Sequence, residues 1–168
     1  NTEHVIVTAQ TADANGLGRG MGRTILESLK ENGVQATFLN HMEHQLTIKE
    51  LSTTIIRAKE LGIITIVCAD TPDEAAAVAM LDPDIVLCEP NHLVGTGTLS
   101  DEKYIADTMA AVRKVNPDIL IMEGAGITCG ADVRRLIRLG AQGTGISSTL
   151  ALAENKAELL SDLLGALR

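Results

Sequence analysis

Six short β-rich runs recur along this chain, at residues 5–9, 36–39, 63–68, 85–88, 119–122 and roughly 143–146. A stretch with helical patterning follows each run, so the repeat is about 28 residues long, the size of a strand–helix unit. The runs are continuously apolar rather than alternating, which marks strands buried on both faces of a parallel sheet. Between them, apolar residues recur at helical spacing. Ile48, Leu51, Ile55 and Ala58 form one stripe, and Ile105, Met109, Val112 and Val115 another. Leu159, Leu160, Leu163, Leu164 and Leu167 form the last. The punctuation agrees. Thr47 with Glu50 reads as a capping box, and Thr71-Pro72 with Glu74 as a helix start. Ser100, followed by Asp101 and Glu102, opens the fourth helix, while Gly33, Gly62 and Gly140 stand where left-handed residues close helices.

Alternating strands and helices predict one α/β domain over residues 1–168, with a parallel sheet and right-handed crossovers. Two architectures fit: an open doubly wound sheet, or an arc of a (β/α)8 barrel. Neither GxGxxG after the first strand nor GxxxxGK[ST] occurs, so the open nucleotide-binding fold lacks its usual signature. Composition excludes other classes. A formal net charge of −8, with one Phe, one Tyr and no Trp, gives neither a basic footprint nor stacking platforms for nucleic acid. The longest apolar run, 63–69, is too short for a bilayer, and no signal peptide is recognisable. Cys68, Cys88 and Cys129 are odd in number without C-x-x-C spacing, which reads as reduced thiols in a cytoplasmic protein.

Both architectures carry chemistry at the carboxyl ends of strands. There stand Asn40-His41-Met42-Glu43-His44, then Glu89-Pro90-Asn91-His92 running on to Gly95-Thr96-Gly97, then Gly124-Ala125-Gly126, then Ser147-Ser148. Glycine loops and serine hydroxyls suit a phosphate held by oriented amides; they also suit plain tight turns. Glu89, at the end of an apolar strand, reads as a functional carboxylate or as an ordinary loop residue. Gly95 and Gly97 suit a hinged lid. His41 reads as an acid or electrophile, with Glu43 orienting a partner. His41, Glu43 and His44 lack a third strong ligand, so no metal is expected.

In order and spacing, Asn40-His41-x-Glu43-His44, Glu89-Pro90, Gly95-Thr96-Gly97 and Gly124-Ala125-Gly126-Ile127 resemble the triosephosphate isomerase family, in its shorter archaeal-type branch. The resemblance implies a (β/α)8 TIM-barrel fold, with the six units here matching the third to eighth. It implies Glu89 as general base, His41 as neutral electrophile, and Glu43 as a charged residue behind it. Val94, Gly126, Ser147 and Ser148 would hold the substrate phosphate, supported by Gly95, Thr96, Gly97 and Gly124. It implies a small phosphorylated sugar as substrate, interconversion of glyceraldehyde 3-phosphate and dihydroxyacetone phosphate, no cofactor, and a homo-oligomer, dimer or tetramer. The chain departs from the family in four ways. Met42 replaces a small Ser, Gln45 a base, and Asn91 a second Pro. The family's first-strand Asn-x-Lys has no counterpart, so roughly 55–60 preceding residues are expected, and the short chain is expected to be weakly active or inactive. A non-catalytic phosphate-binding scaffold and a related phosphosugar isomerase are the alternative readings.

Overall fold

A computed structural model describes residues 4–167. In chain order it contains β1 (Thr8–Ala9), α1 (Leu26–Glu31), β2 (Ala36–Leu39), α2 (Ile48–Leu61), β3 (Ile64–Ala69), α3 (Pro72–Ala79) and β4 (Ile85–Cys88). A 3-10 turn (Asn91–Leu93) follows, then α4 (Glu102–Val115), β5 (Leu120–Glu123), α5 (Gly130–Leu139), β6 (Gly143–Thr144), α6 (Ser148–Leu152) and α7 (Lys156–Gly165). The six strands are all parallel and lie in sequence order, a curled half-barrel with helices packed against it. Strand order never reverses, which decides for the barrel arc over the doubly wound sheet.

Side-chain alternation along each strand divides the core in two. Leu39, Val67, Val86 and Ile121 meet Leu51, Ile55, Ile105, Val112 and Leu136 from the helices. Ala36, Ile66, Cys68 and Leu87 cluster on the other face. Both faces are apolar, which is why the strand runs do not alternate. The Thr47–Glu50 capping box is formed, and Thr71 caps α3 by accepting from the Glu74 amide. Asp101, rather than Ser100, caps α4. Glu74 does not reach back to Thr71. Its carboxylate accepts from the Asp70 amide at 2.9 Å and from Asn40 Nδ2 at 3.1 Å.

Four expectations are corrected at the margins. The first strand is two residues rather than five: among the described residues β1 has one strand neighbour, pairing through Thr8 and Ala9 with Ala36 and Thr37. Val5, Ile6 and Val7 are about half exposed, because an edge run is not covered on both sides. The sixth strand likewise stops at Thr144. In the last helix Leu163 is buried, whereas Leu160, Leu164 and Leu167 are exposed, because α7 packs against α5 and α6 along a single line. Ile48, the first residue of α2, also faces solvent.

Candidate functional site

The carboxyl ends of parallel strands share one rim, so the segments after β2, β4, β5 and β6 converge. Asn40 makes the turn out of β2. It adopts a left-handed φ of 59°, a conformation asparagine tolerates. Its buried amide anchors the turn, donating to Cys68 O (3.1 Å) and Glu74 Oε1 while Oδ1 accepts from the Leu46 amide (3.1 Å). That turn presents His41. The ring's Nδ1 accepts from the Glu43 amide at 3.3 Å, so in the neutral imidazole the proton sits on Nε2. Nε2 lies 3.8 Å from Glu89 Oε2. The sequence expectation had Glu43 acting as a charge behind His41. Its carboxylate is exposed and 3.7 Å from Nδ1, so the nearer orienting group is its backbone amide.

Glu89 leaves β4 with its backbone still in the sheet, its amide donating to Ala69 O. The side chain is mostly buried and crosses to the end of β5, where Oε1 accepts from the Ala125 amide at 2.9 Å. Burial pushes its carboxyl above the ordinary carboxylate range; the Ala125 hydrogen bond and nearby His41 pull the other way. Gly124 permits this approach, since a Cβ there would stand 2.7 Å from Glu89 Oε1. Asn40, His41, Met42, Cys68, Asp70 and Glu89 line a cleft of about 10 Å³. The space admits roughly one water. The Cys68 thiol in that wall is pushed up to about 12 by burial, with the charges of Glu89 and Glu74 adding, so it is not a nucleophile.

The remaining loops meet at the loop that follows β5. Gly95 and Gly97 take left-handed φ values of 75° and 73°, and Thr96 bonds back to Leu93 O. Val94 is half-buried after the 3-10 turn, and its amide makes a long 3.4 Å bond to Asn91 O. The segment returns at Thr98, which packs against Gly126. A Cβ on Gly126 would lie 2.0 Å from Thr98 O, and its φ is 70°. Thr149 Oγ1 donates to Ile127 O at 2.8 Å, drawing α6 and the exposed Ser147 and Ser148 to the β5 loop. Gly126→Ala is therefore expected to lose about 2–4 kcal/mol through overpacking and backbone strain together. Urea unfolding will show this as a lowered midpoint with an unchanged slope.

Two acidic residues here were given no role from sequence. Asp70 directly follows β3, the one internal strand end passed over; the strand-end rule applied to β3 would have found it. Glu123 is the last residue of β5, one position beyond the expected strand end, and is fully buried. Its Oε1 is 3.1 Å from Thr108 Oγ1, and its Oε2 has no partner among the described residues. Thr108 Oγ1 also lies 2.9 Å from Tyr104 O and 3.0 Å from Ile105 O. A hydroxyl has one hydrogen, so when Thr108 donates to its helix carbonyls the Glu123 carboxyl must supply its own proton. Burial accordingly raises Glu123 from 4.5 to about 8.

Comparison with known proteins bears on this geometry. The sequence model of one family, described as triosephosphate isomerase, matches residues 1–163. The triosephosphate isomerase of Methanosarcina mazei is 35% identical over 161 residues, covering 94% of this chain and 72% of that protein. The enzyme of Methanothermus fervidus is 33% identical over 164 residues (96% and 74%), and that of Methanocaldococcus jannaschii 33% over 164 (96% and 75%).

Proposed function

Since the chain belongs to the triosephosphate isomerase family, we propose that its rim interconverts glyceraldehyde 3-phosphate and dihydroxyacetone phosphate. The observation that carries this reading is the 3.8 Å approach of His41 Nε2 to Glu89 Oε2, beside the glycine loop of β5. A carboxylate and a hydrogen-bond donor at one point are what a proton shift between adjacent carbons requires. Glu89 removes a proton from the carbon beside the carbonyl. The electron pair moves onto the carbonyl oxygen, giving an enediolate. His41 Nε2–H donates a hydrogen bond to the developing oxyanion. The hydroxyl proton on the adjacent carbon moves to that oxyanion, and Glu89 returns its proton to the former carbonyl carbon as the newly freed oxyanion closes to the new carbonyl. The raised affinity of Glu89 for protons suits it to both halves of this transfer.

The phosphate is assigned to the Gly126 and Val94 amides with the Ser147 and Ser148 hydroxyls. Gly124 gives Glu89 its space, and Gly95, Thr96 and Gly97 form the covering lid. Because the cleft admits about one water, the substrate sits above it, between His41 and the lid. Residues 1–168 are assigned to one domain corresponding to the third to eighth barrel units, working in the cytoplasm as a dimer or tetramer. In support of assembly, Leu17 and Met21 are exposed in the loop after β1, where the family resemblance puts a subunit interface.

The alternative is a phosphate-binding scaffold without turnover. Lys30, Lys49, Lys59, Lys103, Lys114 and Lys156 all lie on helices, so none answers the enediolate charge from a strand end. An isomerisation assay coupled to product oxidation or reduction decides between them. The 168 residues by themselves are expected to turn over about 10²–10³-fold below the same chain preceded by two βα units carrying Asn-x-Lys, by the usual effect of deleting one oxyanion donor. No turnover in the extended chain would establish the scaffold reading.

A further inference from the structure

The lid segment 90–98 hangs from the fold by very little. Its internal hydrogen bonds run from Leu93 to Pro90, Val94 to Asn91, Thr96 to Leu93 and Thr98 to Thr96. Pro90 has no N–H to give. Among the described residues, one hydrogen bond ties this segment to another part of the molecule: the Asn91 amide donates to Asp70 Oδ1 at 2.8 Å. Asp70 is itself clamped at both backbone groups. Its amide donates to Glu74 Oε2 at 2.9 Å, and its carbonyl accepts from Tyr104 OH at 2.8 Å. Glu74 belongs to the first turn of α3 and Tyr104 to α4, whose helices pack against each other. The aspartate therefore couples β3, α3 and α4 to the turn that begins two residues after Glu89.

We propose that Asp70 is a positioning residue for Glu89, seating the Glu89-Pro90-Asn91 turn through the Asn91 amide. The proposal rests on the reading of Glu89 as the base. The mechanism is geometric. The Glu89 side chain reaches the Ala125 amide from a backbone held on one side by the β4 ladder, at Ala69 O, and on the other by this tether. Pro90, buried with φ near −66°, transmits the position rigidly between them. Releasing the tether lets the turn lift, hydrates the Glu89 carboxyl and lengthens its bond to Ala125. Small displacements of a reacting group are costly in rate.

The test compares Asp70→Ala with Asp70→Asn in the 168-residue chain. Asparagine keeps the acceptor oxygen and removes the charge; alanine removes both. Carbon-detected NMR titration of Glu89 and hydrogen exchange at the Asn91 amide are the readouts, neither requiring turnover. Asp70→Ala is expected to move the Glu89 midpoint down towards the ordinary carboxylate value and to speed Asn91 exchange at least tenfold. Asp70→Asn is expected to keep both near those of the parent. An unchanged Glu89 midpoint in Asp70→Ala would overturn the proposal. So would an equal fall in both variants, which would mean charge rather than tether. If Asp70→Ala does not fold, Tyr104→Phe decides: a smaller change in the same direction supports the tether, and none overturns it. In the extended chain, Asp70→Ala should lower kcat about tenfold with KM changed less than twofold. Absence of turnover in the unsubstituted extended chain would count against the base assignment, while the amide and titration results would still decide the seating of the turn.

Discussion

Glu123→Gln is expected to make the protein more stable in alkali, by about 5 kcal/mol at pH 9, from the shift of Glu123 to about 8. In the folded chain the carboxyl holds its proton up to about pH 8, whereas in the unfolded chain it releases it near 4.5. Below 4.5 both states are protonated, and this group makes no difference to stability. Between 4.5 and 8 the folded state binds the extra proton, so stability falls by about 1.4 kcal/mol per pH unit. Above 8 both states are ionised, and the loss levels off. The groups facing Glu123 do not relieve it. β4 presents the Cys88 thiol, α4 presents Thr108 and the Tyr104 phenol, and the Gly143–Thr144 strand brings no titratable side chain. Glutamine donates to Thr108 without titrating. Urea unfolding of both proteins from pH 5 to 9 should give curves that diverge with rising pH. Parallel curves would show that the carboxyl is not held neutral.

Glu89→Gln is expected to reduce isomerisation in the extended chain by about 10³-fold, within the usual range for removing a positioned base. The fold should be preserved, because the glutamine oxygen still accepts from the Ala125 amide. The loss should appear in kcat rather than in phosphate affinity, since the carboxyl acts on carbon and not on the phosphoryl group. On the proposed assignment the ionised form of Glu89 is the base, so rate should fall as pH drops through a midpoint above the ordinary carboxylate range, with burial as the cause. Solvent deuterium exchange into dihydroxyacetone phosphate measures the same step directly. Retention of exchange in Glu89→Gln would move the base to another residue.

The local order of this molecule follows from the amino-acid sequence alone, because its causes are local. Apolar runs interrupted by capped helices dictate β/α alternation, and alternation with uniformly apolar strands dictates a parallel sheet. A parallel sheet collects Glu89, His41 and the loop glycines at one rim, which is why their shared placement could be read before any coordinates. Contacts between distant segments are decided by tertiary structure. No spacing rule connects Asp70 to Asn91 and Tyr104, or Ala125 to Glu89; those distances exist once β3, β4 and β5 lie side by side. Glu123 looks like a loop acid until β5 extends one residue further and turns it under α4, away from water. The leucines of the last helix carry the periodicity of a buried stripe, yet packing covers Leu163 and leaves Leu160, Leu164 and Leu167 exposed. Periodicity records which face a helix can bury. The neighbours present determine how much of that face is buried.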